Sequence, residues 1–145
     1  MLSSFNLFRE ARALVDYWKL PSAAKKEHRR DRQGLPKNDI GIEPAIREGM
    51  SWLCRAQDRS ASQDGGVARH FSLIDGWATS YPETTGYIIP TMFEYAKTYH
   101  DESMRMRAKK MLDWLVSIQF PEGGFQGGMI DSEPVVPVKI GRAHV

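Results

Sequence analysis

The chain has 145 residues, 41% of them apolar and 26% charged, the balance of one ordinary globular domain. Lys and Arg total 20 against 18 Asp and Glu, and a net charge of +2 is too small for a nucleic-acid binder that works through bulk charge. The lone Cys54 excludes an internal disulfide and a cysteine-based zinc cluster. The apolar runs are only a few residues long, so no membrane span is expected. Met1 to Phe8 lacks the basic start and long apolar core of a signal peptide, and the expected compartment is cytoplasmic.

In chain order, residues 1–21 read as an amino-terminal helix over 4–20. Ser3 or Ser4 is placed to cap it, Phe5, Phe8, Arg12, Val15 and Trp18 follow a helical stripe, and Pro21 ends it. Residues 22–41 are polar and basic, a linker or short exposed helix whose Lys25, Lys26, His28, Arg29, Arg30 and Arg32 form a solvated face. Ile42 to Asp58 is a stronger helix, with Ile42, Ala45, Ile46, Gly49, Trp52 and Leu53 at helical spacing. Cys54 on it reads as a buried, inert thiol. Residues 59–80 form a long Gly-, Ser- and Asp-rich loop.

Glu83 to Tyr99 is a helix apolar round most of its circumference, which predicts a buried helix, and Pro90 within it predicts a kink over Gly86. Residues 103–119 read as an amphipathic helix, and 120–139 as a second Gly- and Pro-rich loop. No strand pattern of useful length appears. Ile140-Gly141-Arg142-Ala143-His144-Val145 continues nothing before it and resembles the translation of a sequencing adapter. The expectation is therefore an amino-terminal fragment in which Arg142 and His144 carry no function.

Trp52-Leu53 and Trp114-Leu115 are each followed, after three residues, by a glutamine, Gln57 and Gln119. Gly65-Gly66 and Gly123-Gly124 then follow in the two loops. The repeated unit holds one amphipathic and one apolar helix, and a single such hairpin cannot bury its apolar helix alone. The fold class expected is all-α, with 42–139 forming stacked helical hairpins in inner and outer layers.

These residues resemble the repeats of the α/α-toroid superfamily, which includes squalene and other terpenoid cyclases and protein prenyltransferases. Gly49, Trp52, Leu53 and Gln57 match the first copy; Trp114, Leu115, Gln119, Gly123 and Phe125 match the second. Val67 stands where the first copy should close with an aromatic, and Met111 where the second should open with glycine. The resemblance implies a partial toroid over 42–128, with Trp52 and Trp114 packing between layers and Gln57 and Gln119 tying helix ends. The Asp-rich motif of the cyclases and the zinc ligands of the prenyltransferases are not present in these residues.

The candidate chemistry lies in the first loop. Asp64, Asp75 and Glu83 are candidate acid–base carboxylates for a glycosidic bond, with His70 as a further acid or base. Arg69 suits an anionic sugar group, and Trp77 and Tyr81 suit stacking on sugar faces. Each has a plainer role available. Asp64-Gly65 and Asp75-Gly76 are turn dipeptides, Arg69 can pair with Asp64 or Asp75, and Trp77 can plug a neighbouring layer. Ser80 and Glu83 have the spacing of a capping box, with Glu83 reaching back to the Ser80 N–H. Gly123 to Gly128 lacks the preceding strand and closing Lys-Ser/Thr of a phosphate loop.

The function expected is therefore a carbohydrate- or polysaccharide-processing enzyme of bacterial type, a hydrolase, lyase or epimerase akin to six-hairpin glycosidases. The alternatives are an isoprenoid cyclase or prenyltransferase, and a non-catalytic glycan-binding or scaffold toroid. No metal and no cofactor are expected. The partner is a small-molecule or oligosaccharide substrate, with no nucleic acid.

Overall fold

A computed structural model describes residues 4–34, 38–130 and 137–138, with side chains described from residue 11 to 34 and 38 to 130. The expected cap Ser3 and the tail 140–145 lie outside the described residues, and the side chains of the alternative cap Ser4 and of the stripe positions Phe5 and Phe8 lie outside the described side chains. The described chain is mostly helical: α1 (Ser4–Lys19), α2 (Ser22–Asp31), α3 (Ile42–Asp58), α4 (Pro82–Tyr99) and α5 (Glu102–Ser117). Two minimal antiparallel ladders accompany them, β1 (Phe71–Ser72) with β2 (Gly76–Trp77), and β3 (Phe125–Gln126) with β4 (Pro137–Val138). Each strand is two residues long, too short for alternation to show in the sequence.

The chain divides into two compact units, one holding α1, α2 and the hairpin tip 72–76, the other running from α3 to β4 apart from that tip. In the first unit α2 is helical from its Pro21 cap to Asp31, so the basic stretch is a helix and not a linker. His28, Arg29 and Arg30 occupy its last turn, where cations suit the negative end of the helix dipole. Only Ala24 of α2 is buried. Lys25 Nζ donates to the Trp18 carbonyl at 3.1 Å, and the Tyr17 ring lies 5.4 Å from that of His28. Val15 and Trp18, expected on a packed stripe, are exposed.

In the second unit α4 and α5 are the closely packed helix pair. Pro82, Thr85, Ile89, Met92 and Ala96 are buried along α4, a spacing of three and four residues that marks one helix face. The expectation that α4 is buried all round is therefore corrected: Tyr87 is 74% exposed, because only one side of α4 has neighbours. His100 at φ +52° turns the chain into α5, and Asp101 caps α5 by accepting the Met104 N–H. The core joins Met50 and Ala56 of α3 and Val67 to Ile89, Met92, Ala108, Met111, Trp114 and Leu115.

The attachment of α3 to α5 is polar as well as apolar. Gln57, 3% exposed, donates through Nε2 to the Gly65 carbonyl at 3.0 Å and the Arg107 carbonyl at 3.2 Å. Its Oε1 accepts from Arg107 Nη1 at 3.1 Å. Arg107 also forks onto the Asp58 carboxylate at 2.7 and 2.8 Å. That hydrogen bond holds the Asp58 carboxyl below the usual carboxylate range. Gly65 adopts φ +105°, and Gly66 lies directly under the Trp114 ring.

Two outcomes follow. A Cβ on Gly66 would sit 2.6 Å from Trp114 ring carbons and 2.8 Å from the Ser80 Cβ, so Gly66→Ala should lose about 1–3 kcal/mol in denaturant titration. Asp58 has a folded pKa below its unfolded value of about 3.9, so its contribution is present above that pH and lost as pH falls through the folded value. Wild type should exceed Asp58→Asn by less than about 1 kcal/mol at neutral pH, because the pair is solvent-exposed, and the gap should close on acidification below about pH 4.

Candidate functional site

The loop after α3 builds a short antiparallel hairpin. The Ala68 N–H donates to the Ala56 carbonyl at 3.0 Å and Val67 N–H to Thr85 Oγ1 at 2.9 Å, so the first arm is pinned to α3 and α4. Ala68 bridges Ser80, Arg69 N–H donates to the Thr79 carbonyl, and Ala78 N–H donates to the His70 carbonyl. At the tip, Ser72 Oγ accepts from the N–H groups of Ile74 and Asp75 and donates to Asp75 Oδ2 at 3.1 Å. Gly76, at φ +84°, completes the turn.

Alternation along this ladder puts Arg69, Phe71, Trp77 and Thr79 on one face and Ala68, His70, Ala78 and Ser80 on the other. Ala68 and Ser80 are buried, so the Arg69 face is turned outward. Phe71 and Trp77 rings lie 4.9 Å apart, edge to face, and Trp52 of α3 packs against Trp77 at 4.9 Å and Phe71 at 6.2 Å. The Arg69 guanidinium lies 5.0 Å over the Tyr81 ring. The pairing of Arg69 with Asp64 or Asp75 does not form; among the described residues Arg69 makes no ion pair. The result is a surface of three neighbouring rings, with an available guanidinium stacked on a fourth.

The carboxylates sit in separate local devices. Asp64 Oδ1 accepts from Ser80 Oγ at 2.6 Å and from the Gly66 N–H at 3.1 Å. Ser80 Oγ also meets Ser60 Oγ at 2.7 Å and accepts from Ser62 Oγ at 3.0 Å, and Ser60 and Ser80 are fully buried. Asp75 is held within the tip by Ser72. Glu83 lies exposed in the first turn of α4 and makes no side-chain hydrogen bond or ion pair among the described residues.

The capping box is corrected. The cap residue is Tyr81, without a side-chain bond, and the Ser80 N–H donates to Ser62 Oγ at 3.0 Å in place of Glu83. Ser80 is drawn into the buried serine cluster, which the spacing of Ser80 and Glu83 does not disclose. His70 is exposed on the face opposite Arg69.

Of the repeat residues, Gln57 makes the three bonds described above, and Gln119 Nε2 donates to the Gly123 carbonyl at 3.2 Å. Trp114 is 6% exposed against Gly66, whereas Trp52 is 46% exposed beside the hairpin, with Arg55 5.7 Å over its ring. Phe71 was not singled out by sequence, because two strand residues carry no legible period. Cys54 is half-buried with its Sγ 3.6 Å from Met104 Sδ, and burial pushes its thiol pKa up. Comparison with family models, with curated proteins and with solved structures finds no match.

Asp64→Ala should lower stability by about 1–2 kcal/mol, because it strips charged acceptors from a buried serine and a loop N–H. Thermal unfolding measures it; an unchanged melting temperature would argue against the structural role.

Proposed function

We propose that this chain is part of an α/α-toroid protein that processes acidic polysaccharide of bacterial type, and that the outward hairpin face is its sugar-binding surface. The observation that carries the reading is the Arg69 guanidinium, stacked on Tyr81 and without a carboxylate partner among the described residues, on the same face as Phe71 and Trp77. Aromatic rings offer a flat apolar surface to the C–H face of a pyranose at small entropy cost. The outer edge of a guanidinium matches a uronic carboxylate in a bidentate fork. The repeated Gln–Gly tie, Gln57 with Gly65 and Gln119 with Gly123, supports the hairpin-repeat architecture. That tie serves the isoprenoid alternative equally, but the arginine-bearing face favours an acidic sugar.

This arrangement suits a lyase or epimerase better than a hydrolase with two opposed carboxylates. Arg69 would neutralise the carboxylate at C5 of a uronic acid and so acidify the C5 proton. One base would then remove that proton. In a lyase the electron pair forms the C4–C5 double bond and expels the glycosidic oxygen, which takes up a proton; in an epimerase a proton returns to the other face of C5. Glu83 is the base proposed, because Asp64 and Asp75 are committed to Ser80 and Ser72, and His70 lies on the opposite face of the hairpin from Arg69.

An oligouronide titration followed by tryptophan fluorescence tests the surface, and the absorbance of a new C4–C5 double bond tests the reaction. Arg69→Ala should weaken the acidic oligomer about tenfold or more and leave a neutral oligomer within about twofold. Trp77→Ala should weaken both. Glu83→Gln should abolish turnover with binding intact. Binding without turnover in wild type would favour a glycan-binding scaffold, and no binding of either oligomer would overturn the reading.

A further inference from the structure

The first repeat shows what its Gln–Gly-Gly platform is built to receive. Helix α5 lies on it: Met104 meets Cys54, the Arg107 carbonyl takes the second Gln57 proton, and Trp114 covers Gly66. A shift of 62 residues, from Trp114 to Trp52 and from Gln119 to Gln57, carries this joint onto two other places in the chain. The docking face of α5 becomes a face of α3, with Met104, Arg107 and Trp114 replaced by Ile42, Ala45 and Trp52. The platform becomes Val116, Gln119 and Phe120, followed by Gly123 and Gly124 in place of Gly65 and Gly66.

Both places are open. Ile42 is 78% exposed and Val116 63%, and Ala45, Gln119 and Gly123 are exposed as well. Gln119 makes the glycine bond, at 3.2 Å to the Gly123 carbonyl, but among the described residues no second bond to a helix carbonyl of the kind Gln57 makes. Among the described residues only Phe120, at 3.6 Å, stands near the Cβ direction of Gly124, where Trp114 covers Gly66.

The residues of the two open surfaces are also matched in character. The filled joint holds a charged pair, Arg107 with Asp58; the corresponding positions on the open surfaces are both apolar, Ala45 and Phe120. The Met104–Cys54 contact corresponds to Ile42 and Val116, again apolar on both sides. An unmatched charge on either surface would have opposed docking; none stands at these positions.

We propose that the α3 face of one chain docks on the Gln119–Gly124 platform of a second copy. Trp52 then covers Gly124, Ile42 meets Val116, and the second Gln119 N–H donates to the Ala45 carbonyl. The two surfaces differ, so the contact is heterologous and joins copies head to tail. The partner is a second copy because each surface corresponds, position for position, to one half of a joint already formed within this chain, with Trp52 and Gln119 identical to Trp114 and Gln57.

Sedimentation equilibrium across a rising concentration series of the full chain tests this. Wild type should associate. Ile42→Glu, which places a charge opposite Val116, and Gly124→Trp, which fills the platform from a glycine with room for a side chain, should each be monomeric with unchanged helical circular dichroism. Mixed together, the two variants should form a one-to-one dimer and nothing larger, because each keeps the surface the other has lost. A wild-type chain that stays monomeric throughout overturns the proposal, as does association that both variants retain or a mixture that fails to pair. If one variant loses its helical signal, Val116→Glu or Trp52→Ser serves in its place with the same expected complementation.

Discussion

The amide of Gln57 is the joint on which the second unit depends. Its two N–H bonds reach the loop at Gly65 and the backbone of α5 at Arg107, and its oxygen takes the Arg107 guanidinium. A buried amide left unpaired costs about 1–3 kcal/mol, so this side chain fixes three segments at once. Gly65 must turn through positive φ to present its carbonyl, and that turn brings Gly66 beneath Trp114. Only glycine fits there. The next residues, Val67 and Ala68, are then delivered to Thr85 and Ala56, where the hairpin begins.

The second arm of the hairpin is fixed by different chemistry. Ser60, Ser62 and Ser80 share hydroxyl bonds, and Asp64 supplies the ionised acceptor that completes the set. No buried side-chain nitrogen or oxygen among the described residues lacks a partner. Such a network is stable only when complete, because a low-dielectric interior magnifies each missing bond. The outward face is shared between packing and exposure: Trp77 rests on Trp52 and the core, while Arg69 faces solvent. Arg69 rests on Tyr81 instead of on a carboxylate, which leaves the polar edge of its guanidinium available to an anion.

The helices were legible because they are written in local period. Ile42–Asp58 coincides with its sequence reading, and α4 and α5 differ from theirs by a residue or two at the ends. The Trp-Leu and Gln spacing and the two Gly-Gly pairs were visible for the same reason. The hairpin was not, since two-residue strands fall below any detectable alternation. Asp64 illustrates the second limit. Its bond to the Gly66 N–H belongs to the turn that Asp-Gly suggests, but its bond to Ser80 spans 16 residues and depends on tertiary structure. Tyr87 illustrates the third: an apolar circumference reports what a helix can bury, and its exposure here depends on how many neighbours are present.

The same glutamine can serve at a joint and at an open edge because its bonds are exchangeable with water. At Gln57 the surrounding core excludes solvent, so every amide hydrogen must find a protein carbonyl. At Gln119 the side chain is exposed, and water meets what the Gly123 carbonyl does not. An open platform of this kind carries no stranded polar group, and its apolar members Val116 and Phe120 resemble the ordinary apolar share of a protein surface. A repeat built around an amide can therefore stop, or accept another helix, without changing its sequence. A joint built on the Arg107–Asp58 pair lacks that freedom, because either charge covered without the other is costly. At the corresponding positions of the open surfaces, Ala45 and Phe120 leave no charge to be covered.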